Sequence, residues 1–238
     1  MSRRIVGVYV ALSAEARAIV NASLPPRTVV PVEDDALIWV GGIGAAAATR
    51  GSEALLKAGA RALMSVGTAA GLAPNCTPGT LILPDRVLPP GQPPVPVDPV
   101  WSDALRSALG NKVRQEQGAI ANTDTVLEPQ EKQVLYQRTG AIAADMESAA
   151  VAAASVTFNV PLMVVRVISD GVGDVIPMGV INAVDEFGRP RYGRLLGTLA
   201  RRPQDIRSML ALAGGLRAAC RTLRAVVRCT GPGFHCPQ

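Results

Sequence analysis

Residues 161–174 read PLMVVRVISDGVGD, and the reading of this stretch decides the fold. An apolar, largely β-branched run of strand length stops at Ser169 and Asp170 and gives way to glycines. That is the pattern of a buried strand that ends at a polar rim. Buried strands of this kind belong to α/β sheets, whose ligands bind outside the carboxyl ends of the strands. Asp170 falls at such an end. It is either a turn or helix-capping aspartate, or a desolvated acid that keeps its proton and can donate it.

Outward from this strand, apolar runs alternate with helical patterns in a βαβ-like order. Strands are expected at 5–12, 36–42, 60–74, 80–88 and within GAIANT (118–123). Helices are expected behind Ser13 as N-cap, over the Ala-rich run ending at Gly59, and over 101–110, 128–138 and 141–156. A long helix over 203–228 is expected to close the fold, followed by a loose tail at 229–238. The Pro-rich stretch 89–99 is long enough for a lid or a partner contact. The expected architecture is a single α/β domain over 1–238, a three-layer sandwich around a central mixed sheet.

Composition narrows the function classes. The chain has 238 residues, 48% apolar and only 3% aromatic, enough for one core built from Ala, Val, Leu and Ile. The basic, then apolar, N-terminus is too short and lacks the cleavage pattern of an export signal. No run is long enough to span a bilayer. Cys76, Cys220, Cys229 and Cys236 form no C-x-x-C pair and have no ligand spacing to His235, the only histidine, so no metal site is expected and a reduced, cytoplasmic protein is. His235 reads as a solvated tail residue. The net charge of +5 lacks the aromatic-interleaved basic cluster of a nucleic-acid binder. Arg217, Arg221, Arg224 and Arg228 instead share one face of the last helix, beside an apolar face of Leu212, Leu216, Ala219, Leu223 and Val226. This is either an ordinary surface helix or one that touches an anionic membrane.

Two features could carry chemistry. AADMESAAVA (143–152) sets Asp145, Met146 and Glu147 among small apolar residues, where an ionised carboxylate needs a partner or a task. Glycine turns at 40–45 and 66–72 match neither a dinucleotide fingerprint nor a P-loop, and are either tight turns or anion cradles.

SVGTAAGLAP (65–74), ADMESAAVA (144–152), VVRVISD (164–170) and the early acid of VALSAEAR (10–17) together resemble the nucleoside phosphorylase and nucleosidase superfamily, with the greatest similarity to methylthioadenosine/S-adenosylhomocysteine nucleosidases. The Arg/Leu-rich region after residue 174 resembles hopanoid-associated phosphorylases, to which removal of adenine from adenosylhopane is assigned. The resemblance implies cleavage of the N-glycosidic bond of a 5′-substituted adenosine without a cofactor. Asp170 would protonate the leaving purine at N7 with Ser169 holding it, and Glu15 would activate water. Glu147 and Met146 would bind the ribose, and Thr68, Gly67 and Gly42 would line the nucleophile side. Val126 and Leu127 would lie against the base, Val126 in place of the family's aromatic residue.

Ser65 stands where phosphorylases of this family carry an arginine. Arg17, Thr68 and Gly44 are the remaining candidates for inorganic phosphate as co-substrate, Arg17 being equally readable as an exposed helix residue. Phosphorolysis of adenosylhopane is the expectation taken here. A hydrolytic nucleosidase is the alternative, and a non-catalytic nucleoside-binding module a second. The resemblance also implies a homo-oligomer.

Overall fold

The protein's structure, a computed structural model, describes residues 4–191, 193, 203–234, 236 and 237. His235 and most of the 192–202 segment lie outside the described residues. The described strands form one mixed eleven-stranded sheet. Strand β1 (Val6–Val10) leads into helix α1 (Ser13–Val20), β2 (Val29–Val32) and β3 (Ala36–Val40). Helix α2 (Ala45–Lys57) then connects to β4 (Ala62–Gly71). β1 is parallel to both β3 and β4, and β2 closes that edge antiparallel to β3.

The expected strand at 80–88 is two short ones, β5 (Leu81–Ile82) and β6 (Arg86–Leu88). Part of the Pro-rich stretch is itself a strand, β7 (Val95–Pro96), antiparallel to β6. Helix α3 (Pro99–Leu109), strands β8 (Gln115–Glu116) and β9 (Ala119–Asn122), and helix α4 (Pro129–Thr139) follow. Aspartate 98 caps α3 by accepting the Trp101 N–H, with Pro99 at the first helical position.

The segment 141–156 departs from the expected continuous helix. Ala143–Asp145 form β10, paired with β9 on one side and with Ala70 and Gly71 of β4 on the other. Only Ser148–Phe158 are helical, as α5. Alanine's helix preference is worth less than backbone pairing on both edges of a short strand. Glu147 therefore sits at the N-cap, not on a helix face, with φ −127° and ψ −32°.

Strand β11 (Leu162–Asp170) runs parallel to β4 from Leu162 opposite Leu63 onward. After it come the one-turn α6 (Met178–Ile181) and the long α7 (Ile206–Thr230). Helices α1 and α3 pack on α7, and α2 packs on α5, flanking the sheet. Arg217, Arg221, Arg224 and Arg228 are exposed, whereas Ala219, Leu223 and Val226 are buried against the core. Ala219, Leu223 and Val226 of the apolar face of α7 are thus used for packing, while Leu212 and Leu216 are half-buried. No helix among the described residues is long and apolar enough to cross a membrane. The tail is not loose where it is described: Phe234 is fully buried, and its carbonyl accepts the Trp101 indole N–H at 2.8 Å. Burial of the ring and the indole hydrogen bond together offset part of the entropy lost in ordering the tail.

Candidate active site

A cavity of about 280 Å³ opens where the carboxyl ends of β4 and β11 meet the β10–α5 junction and α1. Glu15, Thr68, Met146, Glu147, Ser169 and Asp170 all line it, as do Val126 and Leu127. Glu15 and Asp170, 155 positions apart in the chain, therefore share one pocket. A regular strand would point Ser169 and Asp170 to opposite faces. The register between β11 and β4 slips here, from Ile168 opposite Ala69 to Asp170 opposite Ala70. This bulge lets two successive side chains face the same cavity.

On the side formed by α1 and the start of α5 the acids are held by backbone and by one buried cation. Thr68 donates both its N–H (2.7 Å) and its hydroxyl (2.8 Å) to Oε1 of Glu15, and Leu12 N–H donates to Oε2 at 2.9 Å. Burial pushes the Glu15 carboxyl upward, and Arg166 with these donors only partly draws it back. Gly44, with φ +97°, donates its N–H to Oε1 of Glu147 at 2.9 Å. Burial also raises Glu147, to about 7, with Arg166 opposing and Asp145 adding to the rise.

Arg166 is the centre of this arrangement and is almost completely buried. Its Nη2 lies 2.6 Å from Oδ2 of Asp145 and 3.6 Å from Oε2 of Glu147. The same nitrogen donates to Ser65 Oγ at 2.6 Å and to Ser148 Oγ at 3.2 Å. Burial alone would weaken its charge, but Asp145, Glu147 and Glu15 together hold it above its ordinary value. Arg166 approaches β4 only because residue 67 is glycine: a Cβ there would stand 2.5 Å from Nη1. Gly67 is thus a spacing residue, not a wall of the cavity. Asp145 is an ion-pair partner of Arg166.

On the opposite side, Asp170 is ion-paired. Lys132, fully buried on α4, places Nζ 2.6 Å from Oδ2 of Asp170, while Ser169 donates its hydroxyl to Oδ1 at 2.8 Å. Both oxygens of the acid at this strand end are thus engaged, one by Lys132 and one by Ser169. Between the two sides, an apolar wall of Ile43, Ile176, Val180, Ile181, Val184, Leu212 and Leu216 leads outward. The loop after α6 is pinned there by Ile43 N–H to Glu186 O (3.0 Å) and Ser13 N–H to Phe187 O (3.1 Å).

The phosphate candidates are not assembled. Arg17 is exposed, outside the cavity, and donates to Ser23 Oγ at 3.2 Å. It lies two positions after Glu15 on an eight-residue helix, so it faces away from the buried side. The Gly44 N–H and both Thr68 donors are already bound to carboxylates, and Gly42 gives its N–H to Ala11 O at 3.1 Å. Gly42, expected beside the nucleophile, does not line the cavity, and its carbonyl accepts the Tyr9 hydroxyl at 2.6 Å. Among the described residues, no group of three or more His, Cys, Asp or Glu side chains is arranged for a metal ion.

Sequence reasoning missed Arg166, Lys132 and Tyr9. A charged residue inside an otherwise apolar buried strand is a signal for Arg166, since such a charge has to be paired. Lys132 gives no comparable signal, because it lies among polar residues in a helix with little amphipathic contrast.

Residues 27–190 match the phosphorylase superfamily. Over 157 residues the chain is 28% identical to the 5′-methylthioadenosine/S-adenosylhomocysteine nucleosidase of Haemophilus influenzae, covering 58% of this chain and 69% of the relative. In fold it is similar to the Helicobacter pylori nucleosidase of the same name, with a TM-score of 0.67 and 16% identity over 96% of this chain and 99% of that one. It is equally similar to Helicobacter pylori futalosine hydrolase, with a TM-score of 0.67 and 16% identity over 94% and 97% of the two chains. The match spans well over half the sequence, and the chain belongs to the phosphorylase superfamily of nucleoside phosphorylases and nucleosidases, as an enzyme of that group.

Proposed function

We propose that this enzyme hydrolyses the N-glycosidic bond of a 5′-substituted adenosine and releases adenine. The observation that carries the choice of water over phosphate is the state of the donors beside Glu15. Each backbone or hydroxyl donor that a phosphate would need is already given to Glu15 or Glu147. The cavity's acids, Glu15, Asp145, Glu147 and Asp170, outnumber the two buried cations, Arg166 and Lys132. A surplus of negative charge repels a phosphate dianion and favours a cationic sugar.

In this reading water lies between Glu15 and the anomeric carbon. Its oxygen bonds to C1′ as the C1′–N9 pair withdraws into the purine, and its proton passes to Glu15. The purine takes at N7 a proton supplied from bulk water by way of the Asp170 carboxyl, and Glu15 later returns the proton it took to solvent, so the net reaction consumes one water. Glu147 accepts hydrogen bonds from the ribose hydroxyls, and its charge steadies the oxocarbenium-like sugar. Met146 packs on the ribose. Val126 and Leu127 flank the base. The wall from Ile43 to Leu216 accepts an apolar 5′ group, and adenosylhopane is the substrate to which the C-terminal resemblance points. A homo-oligomer, and contact of the exposed arginine stripe of α7 with an anionic lipid surface, are parts of the same proposal.

Adenine release from methylthioadenosine, adenosylhopane and adenosine, with and without inorganic phosphate, tests it. A rate independent of phosphate is expected. Strict dependence on phosphate, with formation of a ribose 1-phosphate product, would establish the phosphorolytic reading in its place. Binding of the nucleosides with no release at all would leave only a binding module.

A further inference from the structure

Helix α7 carries five arginines and no acidic residue over its 25 positions. At 3.6 residues per turn, Ile206, Leu210, Arg217, Arg221, Arg224 and Arg228 fall within one arc of about 60°. All six are exposed, Ile206 by 43% and Leu210 by 68%. Ala219, Leu223 and Val226, on the opposite side of the helix, are buried against the core. Among the described residues, no ion pair engages the four arginines of this arc, so their charge is not neutralised. The outer stripe of α7 thus has an aliphatic head and a basic body, and runs for about 33 Å.

We propose that this stripe is a docking strip for an anionic lipid surface, with the arginines among the headgroups and Ile206 and Leu210 entered into the acyl boundary. Guanidinium groups in a row complement a plane of anionic headgroups, and aliphatic side chains at one end gain by leaving water. A second copy of this chain fits the stripe less well, because a two-fold contact would lay one positive stripe on another. A nucleic acid would take the arginines but leave the aliphatic pair in water, and α7 holds no aromatic side chain for a base to stack on. Leu212 and Leu216, on another face of the same helix, line the cavity. Docking by the outer stripe holds that apolar wall about 10 Å, one helix diameter, from the lipid. The head of the stripe is also the end of α7 nearest that wall, since Ile206 and Leu210 lie within two turns of Leu212. An apolar 5′ group that reaches out along the wall therefore has a short path to the acyl region.

The inference deepens the lipid contact that forms part of the proposed function, and its test does not depend on catalysis. The full chain would be floated with vesicles of phosphatidylcholine alone and of phosphatidylcholine mixed with phosphatidylglycerol, at low and high salt. Mixed vesicles at low salt should bind it at least about tenfold more tightly than neutral ones, and salt should weaken the binding. Arg221→Glu/Arg224→Glu should weaken it by about thirtyfold or more. Ile206→Ser/Leu210→Ser should weaken it by about tenfold without changing its salt dependence. Leu210→Trp should be quenched by lipids brominated on their acyl chains, above the common background of Trp39 and Trp101, whereas Val156→Trp on α5 should not. All these side chains are exposed and outside the cavity, so each variant should keep the wild-type melting temperature. Absence of binding to mixed vesicles at low salt would overturn the proposal, as would a Leu210→Trp signal untouched by brominated chains. Binding of an RNA oligomer as tightly as mixed vesicles, or a lower molar mass of Arg221→Glu/Arg224→Glu in light scattering, would reassign the stripe to a nucleic acid or to a second copy. Vesicle binding by a protein that releases no adenine from any nucleoside would support the docking and sink the catalytic reading alone.

Discussion

Gly44 donates its backbone N–H to Oε1 of Glu147 at 2.9 Å across 103 residues of sequence, joining the start of α2 to the start of α5. That bond ties the first glycine turn to an acid that lines the cavity. It also commits Gly44 to a protein carboxylate in place of a ligand anion.

Glu147 couples stability and activity in opposite senses. Its folded-state carboxyl is raised to about 7, chiefly by burial. A carboxyl that binds its proton more tightly when folded contributes stability below its unfolded value, and that contribution is lost as pH rises through about 7. Glu147→Gln should therefore raise the unfolding free energy relative to wild type at pH 8, by on the order of 1–3 kcal/mol, and by little near pH 4.5. Adenine release, which needs the anion, should climb with pH through the same range in wild type and be lost in the variant. Thermal melts and rates at matched pH check both.

Glu15→Gln should lower kcat by about 10²–10⁴ with little change in KM, as expected for a base acting on water and not on substrate binding. The amide keeps the Thr68 and Leu12 hydrogen bonds on its oxygen only in part, so the melting temperature is the control. An equal loss in KM would assign Glu15 to binding.

Arg166→Met removes the one cation shared by Asp145, Glu147 and Glu15. Leaving buried carboxylates without it should cost about 3–5 kcal/mol. Gly67→Ala attacks the same contact from the other strand, because its Cβ would stand 2.5 Å from Arg166 Nη1. It should destabilise by about 1–3 kcal/mol. Chemical denaturation of each variant measures both figures.

Val180→Asp places a charge in the apolar wall beside Ile181 and Leu216. It should reduce kcat/KM for an apolar 5′-alkylthio adenosine by about tenfold or more while leaving adenosine itself nearly unchanged. Parallel assays of the two substrates read the ratio directly.

The strand ending at Asp170, the glycine turns and the acid pair near residue 146 are local patterns. They place Glu15, Thr68, Glu147, Ser169 and Asp170 at the ends of elements, where the α/β topology gathers them into one cavity. Periodicity is a property of neighbouring residues, so it can be read without coordinates. The break at Glu147 between β10 and α5 is different, because it comes from pairing with β4 and β9, strands distant in sequence.

The amino-acid order alone was thus enough for the alternation of strands and helices and for singling out acids that the fold gathers into one cavity. Folding in three dimensions decided what those acids can do. Lys132 meets Asp170 across 38 residues, and Glu15 meets Thr68 across 53. Charge state depends on burial and on the distance to the nearest counter-charge. Neither is a function of spacing along the chain, so the pairing of Asp170 with Lys132 and Arg166 as the hub of three carboxylates emerge only once the strands are packed side by side.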